Sequence, residues 1–566
     1  MAVVASWSKR PPRRLTVASE FVSVGVPVVF GGLFLSEVEM PSSSHSGPLL
    51  KVVAEQISEQ VDVCALFDRL TDGGSSPGSI MLESGDFAPT YAERSIAVID
   101  PSMCITGKGE RFAITTLDRR GEVLLAEIVP RLPAAAEITA EDHKHATGTL
   151  RTDLSSASFH QRLKNPNHAD LLRAVLPYHE PLAGGPPLPI GLFGCFAYDF
   201  IRQFEDIPKP AHDVLGDPDY VFYLSTRLVV TDQVRNHTTF VSCVPVASES
   251  SFIEEAYDDL AQMRAAVGKG EARVPRPVRV GDFKSDTGQG EFCDTVIALQ
   301  EAIAEGRVFQ TVFGRMFDAD FDGDALDVYD SLKRCNPSPF MFYMRDARGT
   351  LLGASPELAV RVSNGGDGRI VEIKPIAGTK PRGLIRGELD PHLDERFEVA
   401  LRVDTKELAE HTMLIDLARN DIAGIACPGT TFLTEALVTE KYSHVQHLVS
   451  KVKGTLRDDL DAMDAYLATM NMGTLTGAPK PEAMTLISRF EKSSRGFFGG
   501  GVGFLTGEGE METAIVIRAM RIIDDRVYIR AGAGIVADSV PEQEWIETAA
   551  KAKACMVALK EASDAS

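Results

Sequence analysis

The sequence predicts an α+β fold, and three observations carry that expectation. Short apolar runs separated by turn clusters fill the first half; strands and helices are densely mixed in the second; and the two kinds of element never alternate strictly. No internal repeat interrupts this pattern. With 566 residues, 44% of them hydrophobic and 24% charged, the chain can bury a sizeable core as two domains or one composite unit.

Residues 1–47 form an extension and linker. Lys9, Arg10, Arg13 and Arg14 precede an apolar run from Phe21 to Leu35, broken by Pro27, Gly31 and Gly32, in the outline of a targeting peptide. Nothing downstream looks secreted, which favours Met40 as the start, and PSSSHSG reads as a linker. Either reading keeps this segment out of the fold, although organellar targeting stays open. Residues 48–265 form the first domain, with strand-like SIAVID, RFAITTL and RLVVTD, and the loop PLAGGPPLP before GLFGCFAYDF. Residues 266–290 are rich in charge, proline and glycine and read as a linker. The second domain, 291–562, opens on the helical FCDTVIALQEAIAEG.

A formal net charge of −22 repels polyanions, so nucleic acid and acidic membrane surfaces are poor partners. No run of eighteen apolar residues suggests a membrane span. The eight cysteines are scattered without a CxxC pair, as expected of buried thiols in a cytoplasmic protein. A small anionic substrate remains open, because basic groups and a bound cation can reverse the field inside a cleft.

The unusual chemistry lies in the second half. Glycine-rich turns occur in PIAGTKPRG, NMGTLTGAPK, GFFGGGVGF and RAGAGIV, where backbone N–H groups could approach a carboxylate closely. None is a phosphate-binding GxxxxGK[ST] loop. Glu407 and Glu410 lie three apart in one helical segment, as do Glu544 and Glu547 in another, so each pair shares a helix face. Two such faces meeting across a cleft would suit Mg²⁺, which takes oxygen ligands and keeps waters that a substrate can replace. Taken singly, each pair reads equally as solvated surface. His411 beside Glu410 raises a transition-metal alternative that no second histidine or cysteine cluster supports. The residues alone therefore reach a Mg²⁺ site for a small anion and leave the reaction open.

The segments CNPSPFMFYMRD, LLGASPELAVRV, KPIAGTKPRG, ELAEHTMLIDLARND, NMGTLTGAPK, VIRAM and AGAGIVADSVPEQEWIET follow one another in the order that characterises the chorismate-utilising enzymes. The sequence resembles that family over about residues 290–560, and MLESGD, FGCFAYD and DPDYVFYL extend the likeness toward the N-terminus. The resemblance implies two packed antiparallel β-sheets flanked by helices around a central cleft that holds Mg²⁺ and chorismate. Within the family, isochorismate and salicylate synthases carry a lysine base where this chain has Gln310. Aminodeoxychorismate synthases carry a nucleophilic lysine where it has Ala377. Neither replacement can activate water or attack the ring. The resemblance thus implies the anthranilate-forming branch, which joins chorismate to ammonia and releases pyruvate. An enzyme stopping at aminodeoxychorismate, and a tryptophan-binding regulator without catalysis, are the alternatives.

By position the family likeness implies Glu410 and Glu547 as Mg²⁺ ligands with Glu407 and Glu544 nearby. It implies catalytic roles for Glu357, His447 and Thr474, with Glu357 as a general acid of raised pKa. It implies chorismate contacts from Gly378, Thr379, Lys480, Arg518, Gly532, Ala533 and Gly534. Three positions depart from the family pattern: Phe498 replaces a tyrosine, and Phe313 and Gly314 replace Pro and Ser. A tryptophan effector site is implied for Ser84, within Leu82–Ser84, together with Pro339, Phe340 and Met341; Arg94 stands where a lysine is usual. No GxCxGxQ glutaminase motif occurs, so ammonia from glutamine requires a separate glutamine amidotransferase small subunit, in a heterodimer or heterotetramer.

Overall fold

A computed structural model describes residues 33–35, 49–85, 94–155, 159–179, 182, 187–268, 275–366, 368–442 and 444–564. Most of the 1–47 extension, including Met40 and its basic residues, lies outside the described residues. Leu33–Leu35 is a strand pairing antiparallel with Leu50–Ile57.

Two large sheets organise the chain, one of fourteen strands and one of thirteen. Both are composite. The first runs from Leu33–Leu35 through Leu50–Ile57, His237–Pro245, Arg227–Asp232, Arg94–Val98 and Ile80–Glu83. It then passes to Phe340–Arg345, Gly349–Ser355, Ala519–Ile523, Arg526–Ile535, Gln310–Asp322 and Arg279–Val280. The halves join where Ile80–Glu83 pairs antiparallel with Phe340–Arg345, in the register Leu82↔Phe342. In the second sheet the join is between Gly191–Phe196 and Gly501–Thr506. Glycine is required at that seam: a Cβ on Gly191 would fall 2.0 Å from the Leu505 carbonyl oxygen. Arg279–Val280 and Lys284–Ser285, inside the 266–290 segment, both pair with Gln310–Asp322.

Residue alternation builds the layers. In Leu50–Ile57, Leu50, Val52 and Ala54 enter one core while Val53 and Ile57 enter the other. The first core joins the two sheets; Phe196, Phe222 and Tyr466 pack there, with Phe196 and Tyr466 stacked at 4.2 Å. The second lies beneath helices Glu249–Ala266, Ala325–Cys335 and Pro541–Asp564. Because the first sheet is covered on both faces, its strands read as nearly continuous apolar runs.

Two helices matter most for the site. Thr405–Ala423 is N-capped by the Asp404 carboxylate, which accepts from the Glu407 N–H. It buries His411, Leu414, Ile415, Ala418 and Ile422, a helical stripe that packs on the second sheet. Pro541–Asp564 starts on proline, whose fixed φ suits a first helical position. It buries Glu544, Thr548, Ala552, Cys555 and Leu559 against the first sheet. No helix among the described residues is long and apolar enough to cross a membrane. All eight cysteines are free thiols.

Candidate active site

The chain crosses between the sheets twice in one place. Glu357 lies between Gly349–Ser355 of the first sheet and Leu358–Gly365 of the second. Arg518 lies in the reverse crossing, between Met511–Ile515 and Ala519–Ile523. The crossings are tied together: the Glu357 carbonyl accepts from the Ile515 N–H at 3.0 Å, and the Arg518 carbonyl accepts from the Ala354 N–H at 3.0 Å. Arg518 sits at φ 52°, a left-handed conformation costly for a residue with a Cβ and maintained by the surrounding strands.

Glu357 is buried, and burial pushes its carboxyl up to about 8. The Thr474 hydroxyl and the Ile376 N–H oppose that shift, the latter at 3.4 Å from Oε1. The Thr474 contact falls short of a full hydrogen bond, since its buried Oγ1 has no partner of normal geometry. At neutral pH Glu357 therefore carries a proton it can donate.

The two carboxylate pairs lie near enough for their charges to repel each other. Burial raises the Glu410 carboxyl to about 7, helped by the like charges of Glu407, Glu547 and Glu544. Glu407 and Glu544 are also raised, again mainly by burial, with Glu547 adding repulsion to both. Lysines hold the outer members. Lys406 lies 3.9 Å from Glu410, and Lys551 pairs with Glu547 at 2.8 Å while donating to the Gly532 carbonyl at 2.9 Å. Among the described residues no three acidic, histidine or cysteine groups are gathered closely enough to hold an ion together. The donor set nonetheless fits Mg²⁺: the groups are hard oxygens whose mutual repulsion a dication would relieve.

Opposite these groups, Ile376–Pro381 pairs with Val445–Thr455 in the register Thr379↔His447. His447 Nδ1 lies 3.0 Å from both the Gly378 carbonyl and the Thr379 hydroxyl. Burial pulls its pKa down to about 4, so the ring is neutral; with Nδ1–H given to Gly378, Nε2 keeps a free lone pair. Gly378 bulges at φ 79°, and a Cβ there would stand 3.2 Å from Glu407 Oε2. Glycine thus brings this backbone against the carboxylate helix. Arg518 donates to the Lys551 carbonyl at 2.9 Å and influences both His447 and Glu547 electrostatically.

Several expected residues take other positions. Ala533 is buried with Phe292 and Phe313 beneath the helices, so only its backbone can meet a ligand. Gly532 and Gly534 lie on the opposite face of the strand, where a Cβ on Gly534 would stand 2.5 Å from Gln310 Nε2. Lys480 is engaged by Asp421 at 2.7 Å and the Thr469 carbonyl at 2.8 Å. His411 bonds Ser450 at 2.7 Å and is neutral, its pKa lowered by burial to about 4, which makes it a core residue. Phe313 packs on Phe292 with ring centroids 4.9 Å apart. The adjacent Gly314 N–H donates to Glu491. Phe498 is half-buried against Met472, Leu475 and Ile515. Lys551 escaped the sequence reading; its only local signal is the i,i+4 spacing from Glu547, the commonest ion-pair spacing on any helix.

A second cavity, of about 360 Å³, opens at the seam of the first sheet, and its walls include Ser84, Arg94, Pro339, Phe340 and Met341. Among the described residues the buried Ser84 hydroxyl has no hydrogen-bond partner. Glu83 beside it is fixed by the Tyr329 hydroxyl at 2.7 Å and Lys333 at 2.8 Å. Another cavity, of about 820 Å³, lies elsewhere; its charged walls include the ion pairs Lys108–Asp213 and Arg202–Asp199.

A buried carboxyl of raised pKa, two carboxylate pairs and a neutral histidine are thus gathered about a crossing of two composite antiparallel sheets. The model of the chorismate binding enzyme family matches residues 131–557, and the chain belongs to that family. It is 38% identical over 513 residues to anthranilate synthase component 1 of Vibrio cholerae, covering 90% of this chain and 96% of that protein. Likewise it is 38% identical over 531 residues to the Escherichia coli component 1, covering 92% and 98%. Among solved structures, anthranilate synthase component I of Streptococcus pneumoniae superposes with a TM-score of 0.61 at 28% identity, over 83% of this chain and 93% of that one. The menaquinone-specific isochorismate synthase of Escherichia coli, at 17% identity and a TM-score of 0.62, covers 91% and 95% and shares the fold.

Proposed function

We infer that the chain is the chorismate-converting subunit of an anthranilate synthase, forming anthranilate and pyruvate from chorismate and ammonia at the first step of tryptophan synthesis. The observation that carries this is the buried, protonated Glu357 beside the opposed carboxylates, in a site with glutamine at 310 and alanine at 377. Mg²⁺ bound between Glu410 and Glu547 would supply Lewis acidity at the substrate carboxylate. Glu357 gives its proton to the departing ring hydroxyl, and Arg518 supplies a fork of donors for a carboxylate. His447, neutral and fixed by Gly378, offers Nε2 as the base when pyruvate is eliminated.

Three further readings accompany this one. The 360 Å³ cavity has the size of a small-ligand site, and tryptophan bound there would act as feedback inhibitor. A glutamine amidotransferase small subunit supplies ammonia. The eight free cysteines suit the cytoplasm. Purified chain with chorismate, Mg²⁺ and ammonium salt should yield anthranilate fluorescence and equal pyruvate. Accumulation of aminodeoxychorismate without pyruvate would transfer the assignment to the sister enzyme. No turnover with intact tryptophan binding would leave a regulator.

A further inference from the structure

Lys374 follows strand Gly368–Ile373, and its side chain is only 1% exposed. Its Nζ donates to Glu440 Oε2 at 2.7 Å, and the Tyr442 hydroxyl donates to the same oxygen at 2.8 Å. Glu440 stands directly opposite His447 where Phe432–Lys441 pairs with Val445–Thr455. The Tyr442 ring meets the imidazole edge-on, with centroids 5.5 Å apart. Stability does not call for this arrangement, because a buried ion pair is often no better than apolar side chains of the same volume. The pair does bear on the two groups that handle protons. Lys374 acts electrostatically on both Glu357 and His447, while Glu440 pulls His447 the other way. Arg518 bears on the ring from the sheet crossing, and Ile376–Pro381 presents the uncharged Gly378 carbonyl and Thr379 hydroxyl to it. Beyond Lys374, Lys451 and Glu435 form a second pair at 2.8 Å on the same two strands as Glu440 and His447.

We propose that the Lys374–Glu440 pair positions His447 for the elimination step, Lys374 acting on the ring through Glu440 and Tyr442. The proposal rests on the functional reading above and deepens it. In that step His447 Nε2 takes the proton from the ring carbon that carries the amino group. The C–H electrons complete the aromatic ring, and the neighbouring C–O bond breaks to release pyruvate as its enolate, which then takes up a proton. Glu440, held by Lys374, gives the Tyr442 hydroxyl a fixed acceptor, and the Tyr442 ring limits how far the imidazole can turn from the Gly378 carbonyl. The two charges also offset each other at the ring, so neither drives it toward imidazolium. Without Lys374 the Glu440 carboxylate loses the cation bonded to it. Its negative charge then favours a protonated ring, which cannot take the substrate proton.

The test follows the His447 ring by NMR of chains labelled at histidine Cε1, its resonance identified by its loss in His447→Asn. Wild type, Lys374→Met, Lys374→Arg and Lys374→Met/Glu440→Gln are titrated between about pH 5 and pH 9. In parallel, pyruvate release is measured from added aminodeoxychorismate, a half-reaction that needs no ammonia. Wild-type His447 should stay neutral throughout. In Lys374→Met its midpoint should rise by about two pH units, as a nearby carboxylate produces, and pyruvate release should fall about tenfold at pH 5 and recover at pH 8. Lys374→Arg, which keeps the cation, should match wild type, and the double variant should return the midpoint close to it. An unchanged midpoint in Lys374→Met would overturn the proposal. So would a raised midpoint that persists in the double variant, since the cause would then be loosened packing and not the Glu440 charge. Should Lys374→Met fail to fold, Lys374→Gln, which can still donate to Glu440, replaces it under the same criteria. A wild-type chain that releases no pyruvate from aminodeoxychorismate would count against the functional reading instead, and the substrate-free titration would still decide the role of the pair.

Discussion

Glu357 is held at about 8 by burial, and that single perturbation has consequences for both rate and stability. Turnover normalised to free NH₃ should fall as pH rises through 8, because the acid loses its proton. Glu357→Gln should lower turnover at least a hundredfold and abolish that alkaline limb. Stability also falls as pH rises, but over a lower window. Between the ordinary glutamate value of 4.5 and about 8 the unfolded chain releases a proton that the folded chain keeps, so wild-type stability falls across that window. Glutamine has no such penalty, so Glu357→Gln should be more stable at pH 7, by on the order of 3 kcal/mol, in thermal melts at pH 5 and pH 7. An unchanged difference between the two pH values would contradict the buried-acid assignment. The motif singled out Glu357, and the structure buries its carboxyl. Residue type and motif were not enough to orient Ala533, whose side chain turns into the helical core, or to reveal that Asp421 engages Lys480. Those outcomes depend on strand phase and on a partner 59 positions away, neither of which short motifs encode.

Elements differ in how openly the sequence declares them. The pairing of carboxylates on each helix was legible because helical spacing is local, and Glu410 feels the like charges of Glu407, Glu547 and Glu544. The pairing of Ile80–Glu83 with Phe340–Arg345 was not, since strands buried on both faces lose the alternation that would betray their neighbours. That seam makes the second cavity, and it offers a path to the site. Phe340 stands opposite Ser355, whose hydroxyl lies 3.3 Å from the Glu357 backbone N–H and C=O. A ligand that shifts Phe340–Arg345 would therefore disturb the acid through one strand. Ser84→Phe should fill the cavity and raise the tryptophan concentration for half-inhibition at least tenfold while sparing turnover, within the usual 1–3 kcal/mol range of such coupling. Unchanged tryptophan sensitivity would make the segment a packing seam. Joint loss of activity and inhibition would make it a folding element.

At the scale of the whole molecule, the halves on either side of residues 266–290 are not separate layers. Each contributes a block of strands to both sheets, whereas Glu357, His447, Arg518 and both carboxylate helices all belong to the second half. The pattern of apolar runs foretold the α+β class and the family resemblance the cleft; neither foretold that the halves share their sheets, because pairing at such separation is a non-local property. The central claim is that helices Thr405–Ala423 and Pro541–Asp564 make one cation site across that cleft. The measurement that tests it most directly is a Mg²⁺ titration of chorismate turnover in wild type, Glu410→Gln and Glu547→Gln, with folding checked by circular dichroism. Each substitution should leave the fold intact, since both side chains lie partly or largely exposed at the rim. Each should raise the Mg²⁺ requirement at least tenfold or abolish turnover. Wild-type activity at low Mg²⁺ in either variant would contradict the account.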